Sequence, residues 1–161
     1  VSDATALNFG PDELRCLATL DSHGVEYLLV GGYAVRYHGV MRPAKDVDVL
    51  VKNDSANSAR VCAALIAIIG TAHPNLTPDK IIGQKRQINF EVWGYAFEVL
   101  TAADGIDFSE AYDHRTVAQL PTLDVPVIER SALIVMKRNA GRPQDLEDVH
   151  ALNSHHGDTI A

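Results

Sequence analysis

At 161 residues, with 47% hydrophobic and 22% charged side chains, the chain is long enough to bury a core and too ordinary in composition for a disordered or fibrous protein. Its 21 acidic against 14 basic side chains, a net charge of −7, oppose an extended nucleic-acid-binding surface. No apolar run approaches the roughly 18 residues of a membrane span and no basic-then-apolar leader opens the chain, while Cys16 and Cys62 sit among Leu and Ala as buried free thiols would, so one soluble, cytoplasmic domain over residues 1–161 is expected.

Pro11 to His23 carries Leu14, Leu17 and Leu20 at helical spacing behind a first-turn proline, with Gly24 placed to end the helix. Glu26 to Val30 is a short apolar run that reads as a buried strand stopping at Gly31-Gly32. Tyr33 to His38 has no breaker and suits a short helix closed by Gly39, after which Arg42-Pro43 turns or extends the chain. Asp46 to Val51 alternates with the period of a strand, so Asp46, Asp48 and Leu50 share one face and three valines the other.

Ser55 to Ile69 is an alanine-rich helix capped by Asn53-Asp54 and ended by Gly70. Thr71 to Gly83, with two prolines, reads as loop with at most one helical turn. Gln87 to Trp93 and Tyr95 to Leu100 meet at Gly94 as a hairpin. A Gly94-Tyr95 turn pairs Trp93 with Ala96 and sets Glu91 opposite Glu98. Thr116 to Leu120 and Val125 to Ile128 are weaker strands. Two helices follow, Glu129 to Ala140 and Pro143 to Leu152, and a frayed tail is expected from Asn153.

Two features carry chemistry. Backbone N–H groups of a glycine turn that opens a helix favour an anion, although most Gly pairs after a strand are plain turns. Asp46 and Asp48, two residues apart on a strand, project two carboxylates from one face; the plain alternative is an exposed polar face or strand-end turn. Residues 33–45 leave room for a short helix and a reversal, which would let the turn and the carboxylates face each other, as phosphoryl transfer requires.

The segment Val25 to Val35, then His38-Gly39, Arg42 and Asp46-Val47-Asp48-Val49, resembles the minimal nucleotidyltransferases of the DNA polymerase beta superfamily, and is similar more narrowly to the AbiEii/AbiGii toxin nucleotidyltransferase group. The likeness runs from about Leu14 to Leu152 and continues in Phe97-Glu98-Val99-Leu100-Thr101, Gly105-Ile106-Asp107-Phe108 and Lys137 through Gly141-Arg142-Pro143-Gln144-Asp145-Leu146-Glu147-Asp148. It implies an α/β nucleotidyltransferase fold, a mixed β-sheet flanked by helices with C-terminal helices at about 129–152. It also implies transfer of a nucleoside monophosphate from an NTP to a hydroxyl on an RNA end, a protein or a small molecule, with release of pyrophosphate.

By the same resemblance Asp46, Asp48 and Glu98 would hold catalytic Mg²⁺ or Mn²⁺, with Glu98 orienting or deprotonating the acceptor. Gly31 and Gly32 would receive phosphate. Ala44 stands where relatives commonly have Thr, which bears on activity more than on fold. The alternative is a degenerate member acting as a nucleotide-binding or protein-binding module, one half of a toxin–antitoxin pair with a partner protein.

Arg42 and Lys45 flank the carboxylates, either to neutralise a triphosphate or to pair with neighbouring acids. Lys137, Arg138 and Arg142 cluster at a helix end, where the dipole favours cations, and Asp145 and Asp148 stand ready to cap and pair, so nucleotide contact by Lys137 and Arg142 and simple ion pairing are both open. Tyr33 and Tyr37 are candidates for base stacking or for ordinary packing. The histidines show no zinc spacing.

Overall fold

A computed structural model describes residues 2–83, 87–92 and 95–158. The chain runs α1 (Pro11–Ser22), β1 (Tyr27–Val30), α2 (Gly31–Tyr37), β2 (Val47–Val51), α3 (Ser55–Ile69), α4 (Pro78–Ile81), β3 (Gln87–Val92), β4 (Tyr95–Leu100), α5 (Phe108–Asp113), β5 (Thr116–Gln119), β6 (Asp124–Val127), α6 (Arg130–Ala140) and α7 (Pro143–Asp158). The strands form one mixed six-stranded sheet in the order β3-β4-β2-β1-β6-β5. β2 lies between an antiparallel β1 and a parallel β4, and β1 pairs in parallel with β6. This is the mixed α/β architecture expected from the sequence.

The inner strands are apolar because both faces are covered. Leu28, Leu29 and Val30 of β1 and Val47, Val49 and Val51 of β2 are buried. α1 packs on α3, burying Cys16, Leu17 and Leu20 on one side and Val61, Cys62 and Leu65 on the other; both cysteines are free thiols. α2 packs on β1, β2 and α6, and α6 packs on α7. Asn57, fully buried, accepts from Glu26 N–H at 2.8 Å and donates to the carbonyls of Glu26 and Lys52, which ties α3 to the entry of β1 and the exit of β2. The N-terminal segment folds back over α2, with Asp3 N–H donating to the Tyr37 carbonyl.

Several expectations are corrected. α2 opens at Gly31 itself and closes at Tyr37, and Asp46 lies in a bend just ahead of β2. α7 continues to Asp158 instead of fraying from Asn153, because Leu152 is buried and Arg130 Nη1 donates to its carbonyl at 3.1 Å. α5, capped by Asp107 accepting from Glu110 N–H, was not anticipated. In the hairpin, Val92 pairs with Tyr95 and Glu91 with Ala96, which corrects the expected register; Trp93 and Gly94 lie outside the described residues. Asn89, not Glu91, therefore stands opposite Glu98. The like-charge conflict foreseen between Glu91 and Glu98 is absent.

Candidate functional site

The site forms where β1, β2 and β4 end beside α6 and the start of α7. Val30, the last residue of β1, pairs with Asp48, and Asp48 in turn pairs with Glu98 on β4. Residues facing one another across neighbouring strands project from one face, so the two carboxylates stand side by side. The chain leaves β1 at Gly31 with φ +67°, and a Cβ there would overlap the Asp48 carboxylate. Only glycine gives both the left-handed backbone and that closeness. Gly32 faces the Arg42 guanidinium: a Cβ on it would lie 3.1 Å from Arg42 Nη2 and 3.3 Å from Ala44 Cβ.

Burial, a hydrogen bond shared with Glu98, and the charges of Glu98 and Asp46 push the Asp48 carboxyl up to about 8, with Lys137 the opposing influence. Asp48 Oδ1 is buried with no hydrogen-bond partner among the described residues. Hard carboxylate oxygens crowded in this way fit a divalent cation such as Mg²⁺. Among the described residues, however, no three His, Cys, Asp or Glu side chains are drawn together into a ready metal cage.

Opposite the carboxylates lies a chain of ion pairs that binds the loop before β2 to α6 and α7. Arg42 reaches Asp148 through Nε at 2.8 Å and Nη2 at 3.1 Å. Lys137 Nζ lies 3.0 Å from Asp148 Oδ2 and 3.2 Å from Asp145 Oδ1. Arg142 closes the chain on Asp145 through Nε at 2.7 Å. Burial works to raise the Asp145 carboxyl, but hydrogen bonds from Arg142 and Lys137 and their charges hold it below its ordinary value. Three cations share two buried carboxylates, leaving one positive charge over.

Asp46, Asp48, Glu98, Gly31, Gly32, Arg42, Lys137 and Arg142 all line one cavity of about 520 Å³. Lys45 is exposed and does not line it. Arg42 is paired with Asp148 on α7, not with the neighbouring Asp46 or Asp48. The cavity also has an apolar wall of Leu100, Leu133, Met136 and Ala140, for which the helical spacing within α6 was the available signal. Asp145 and Asp148 do pair with the basic cluster, but both are 1% exposed, and Asp148 anchors Arg42 as well, a long-range contact that helix capping rules do not announce.

Tyr33 is buried, tilts against Phe9 with ring centroids 4.7 Å apart, and donates its hydroxyl to the buried Glu13 at 2.5 Å. Tyr37 is buried edge-on to His38. Both rings are thus taken up by packing and neither lines the cavity. No helix among the described residues is long and apolar enough to cross a membrane.

The sequence profile of a family described as nucleotidyltransferase of unknown function (DUF6036) matches residues 12–154. No curated protein matches the chain. Among solved structures, the chain is similar to the lincosamide antibiotic adenylyltransferase LnuA in its lincomycin-bound form, at 14% identity and TM-score 0.58, over 91% of this chain and 98% of that one. It is similar also to the antibiotic-resistance factor ANT(2'')-Ia, at 14% identity and TM-score 0.59, over 98% and 87%. The Thermotoga maritima protein TM1012 aligns at 13% identity and TM-score 0.52, over 87% and 91%. At such identities these likenesses speak for the fold alone.

Proposed function

The chain belongs to the DUF6036 nucleotidyltransferase family, and from that premise we propose that it moves a nucleoside monophosphate from an NTP to a hydroxyl acceptor with the help of Mg²⁺ or Mn²⁺. The observation that carries this reading is the placement of Asp48 between the Gly31 turn and Glu98, in a cavity whose other wall is the Arg42–Lys137–Arg142 cation chain.

In this reading the Gly31-Gly32 backbone and Arg42 receive the outer phosphates, and Lys137 and Arg142 add charge where the triphosphate lies. Lys45 has at most a peripheral share. Asp46, Asp48 and Glu98 would hold the divalent metal, which when bound supplies charge neutralisation and aligns the phosphate oxygens. The acceptor oxygen bonds to the α-phosphorus as the bridging bond to the β-phosphate breaks; its proton passes to Glu98 and pyrophosphate leaves. Positioning and electrostatics do most of the work in such a transfer. The ion pairs matter because they fix long side chains before substrate arrives, so less freedom is lost on binding.

The AbiEii/AbiGii likeness, and with it a partner protein in a toxin–antitoxin pair, rests on the sequence segments from Val25 to Val49, Phe97 to Phe108 and Lys137 to Asp148 and not on any surface of the fold. LnuA and ANT(2'')-Ia support a small-molecule acceptor as one option. The test is titration of each NTP with and without Mg²⁺ by calorimetry. Binding that needs the metal in the wild type and is lost in Asp48→Asn is expected; metal-indifferent binding would refute the site.

A further inference from the structure

An in-line displacement needs the attacking and leaving oxygens on opposite sides of the phosphorus. If pyrophosphate leaves toward Gly31, Gly32 and Arg42, the acceptor must arrive from the opposite direction, over Glu98. The strand order fixes what lies there: beyond β1 come β2, β4 and then the edge strand β3. The paired residues Val30, Asp48, Glu98 and Asn89 form one row across these four strands, about 14 Å long at the usual strand spacing. At its far end, a second cavity of about 380 Å³ runs along the outer edge of β3, lined there by the consecutive residues Gln87, Ile88 and Asn89. Gln87 borders both cavities and joins them.

The chemistry of this second cavity is that of a donor set. Asn75 N–H donates to His73 Nδ1 at 3.1 Å, which leaves the imidazole proton on Nε2. The Lys80 ammonium is held by the Pro74 carbonyl at 2.6 Å and keeps two N–H groups to offer. The side-chain amides of Asn75, Gln87 and Asn89 add donors, and the buried Leu76 and Ile81 give the cavity an apolar floor. The volume suits one sugar- or nucleotide-sized group.

Resting on the transfer reading above, we propose that the cavity along β3 is the acceptor subsite and that it takes an oxygen-rich, phosphate-bearing hydroxyl compound rather than a polycationic one. A phosphate would be met by Lys80 and His73, and the sugar hydroxyls by the amides, with the reacting hydroxyl directed back along the row to Glu98. The same ribose-phosphate chemistry is offered by a free sugar phosphate and by the 3′ end of an RNA strand.

The experiment is amide NMR on the whole chain, first saturated with Mg²⁺ and an α,β-methylene NTP, which cannot release pyrophosphate, then titrated separately with ribose 5-phosphate, a short RNA ending in a 3′-hydroxyl, and a polyaminated sugar. Ribose 5-phosphate or the RNA should shift the amides of the non-proline residues among 73–81 and of 87–89, and whichever binds more tightly identifies the source. Lys80→Glu, at an exposed position, should weaken that binding at least fivefold and leave the shifts caused by the NTP analogue unchanged. If the NTP analogue binds at Gly31 and Gly32 but neither phosphate compound perturbs the β3 cavity, or if the polyaminated sugar binds there more tightly, this inference is overturned while the transfer reading stands. If the NTP analogue itself does not perturb Gly31 and Gly32, the transfer reading fails first.

Discussion

The Asp48 carboxylate lies against the backbone of Gly31, so near that no side chain fits between them. The turn and the carboxylate are therefore one unit, formed where the end of β1 pairs with the start of β2. Gly31→Ala must both strain a backbone at φ +67° and displace Asp48. It should cost about 1–3 kcal/mol in urea unfolding and remove NTP binding. Gly32→Ala meets only the end of the Arg42 side chain and Ala44; it should raise the NTP KM several-fold with little change in unfolding midpoint. Equal losses of stability in the two variants would contradict the distinction.

Asp48 also sets a pH dependence. Its carboxyl, pushed up to about 8 in the folded protein from an ordinary 3.8, binds its proton more tightly when folded than when unfolded. The stability contributed by the protonated form is present below pH 4 and declines as pH rises from about 4 to 8. The metal-free protein should lose stability over that window through this group, and Asp48→Asn should remove the decline and raise Tm at pH 8 by several degrees, on the order of 1–3 kcal/mol. Mg²⁺ should raise Tm in the wild type and not in the variant. A lower Tm for metal-free Asp48→Asn at pH 8 would show that the carboxylate is not strained.

Asp148 joins three parts of the fold through Arg42, Lys137 and Gln144. Asp148→Ala leaves Lys137 and Arg42 without that carboxylate at a buried position, and should destabilise by about 3–5 kcal/mol, measured by chemical denaturation. A loss under 1 kcal/mol would mean that solvent replaces the pair.

On β4, Glu98→Gln should stop transfer while NTP binding is largely kept, and Glu91→Gln should be mild. Turnover assays in which Glu91→Gln is the more damaging would reverse the assignment. The register strengthens this contrast, since Glu98 pairs with Asp48 while Glu91 pairs with Ala96, two residues farther along the hairpin.

Much of this arrangement was legible in the chain. The apolar run ending in Gly31-Gly32 and the alternating Asp46 to Val51 each name their own structure, because strand period and glycine punctuation are local signals. What the two glycines do individually was not legible: a Gly-Gly pair does not say which of the two makes the left-handed turn against Asp48, and it is Gly31. The hairpin register differs for a local reason as well, since a Gly-first turn at Gly94-Tyr95 is good turn chemistry but Val92 pairs with Tyr95. The Arg42–Asp148 pair spans most of the chain, and no spacing rule reports such a contact. α7 runs past Asn153 from a Leu152 that is held by tertiary packing, a contact that helix propensity does not report.

The most direct measurement is transfer of label from NTP carrying ³²P at either the α or the γ position, incubated with Mg²⁺ and a cell extract. The account predicts that α-label becomes attached to an acceptor, that γ-label appears only in pyrophosphate, and that Asp48→Asn abolishes both. Attachment of γ-label, or α-label transfer undiminished in Asp48→Asn, would contradict it.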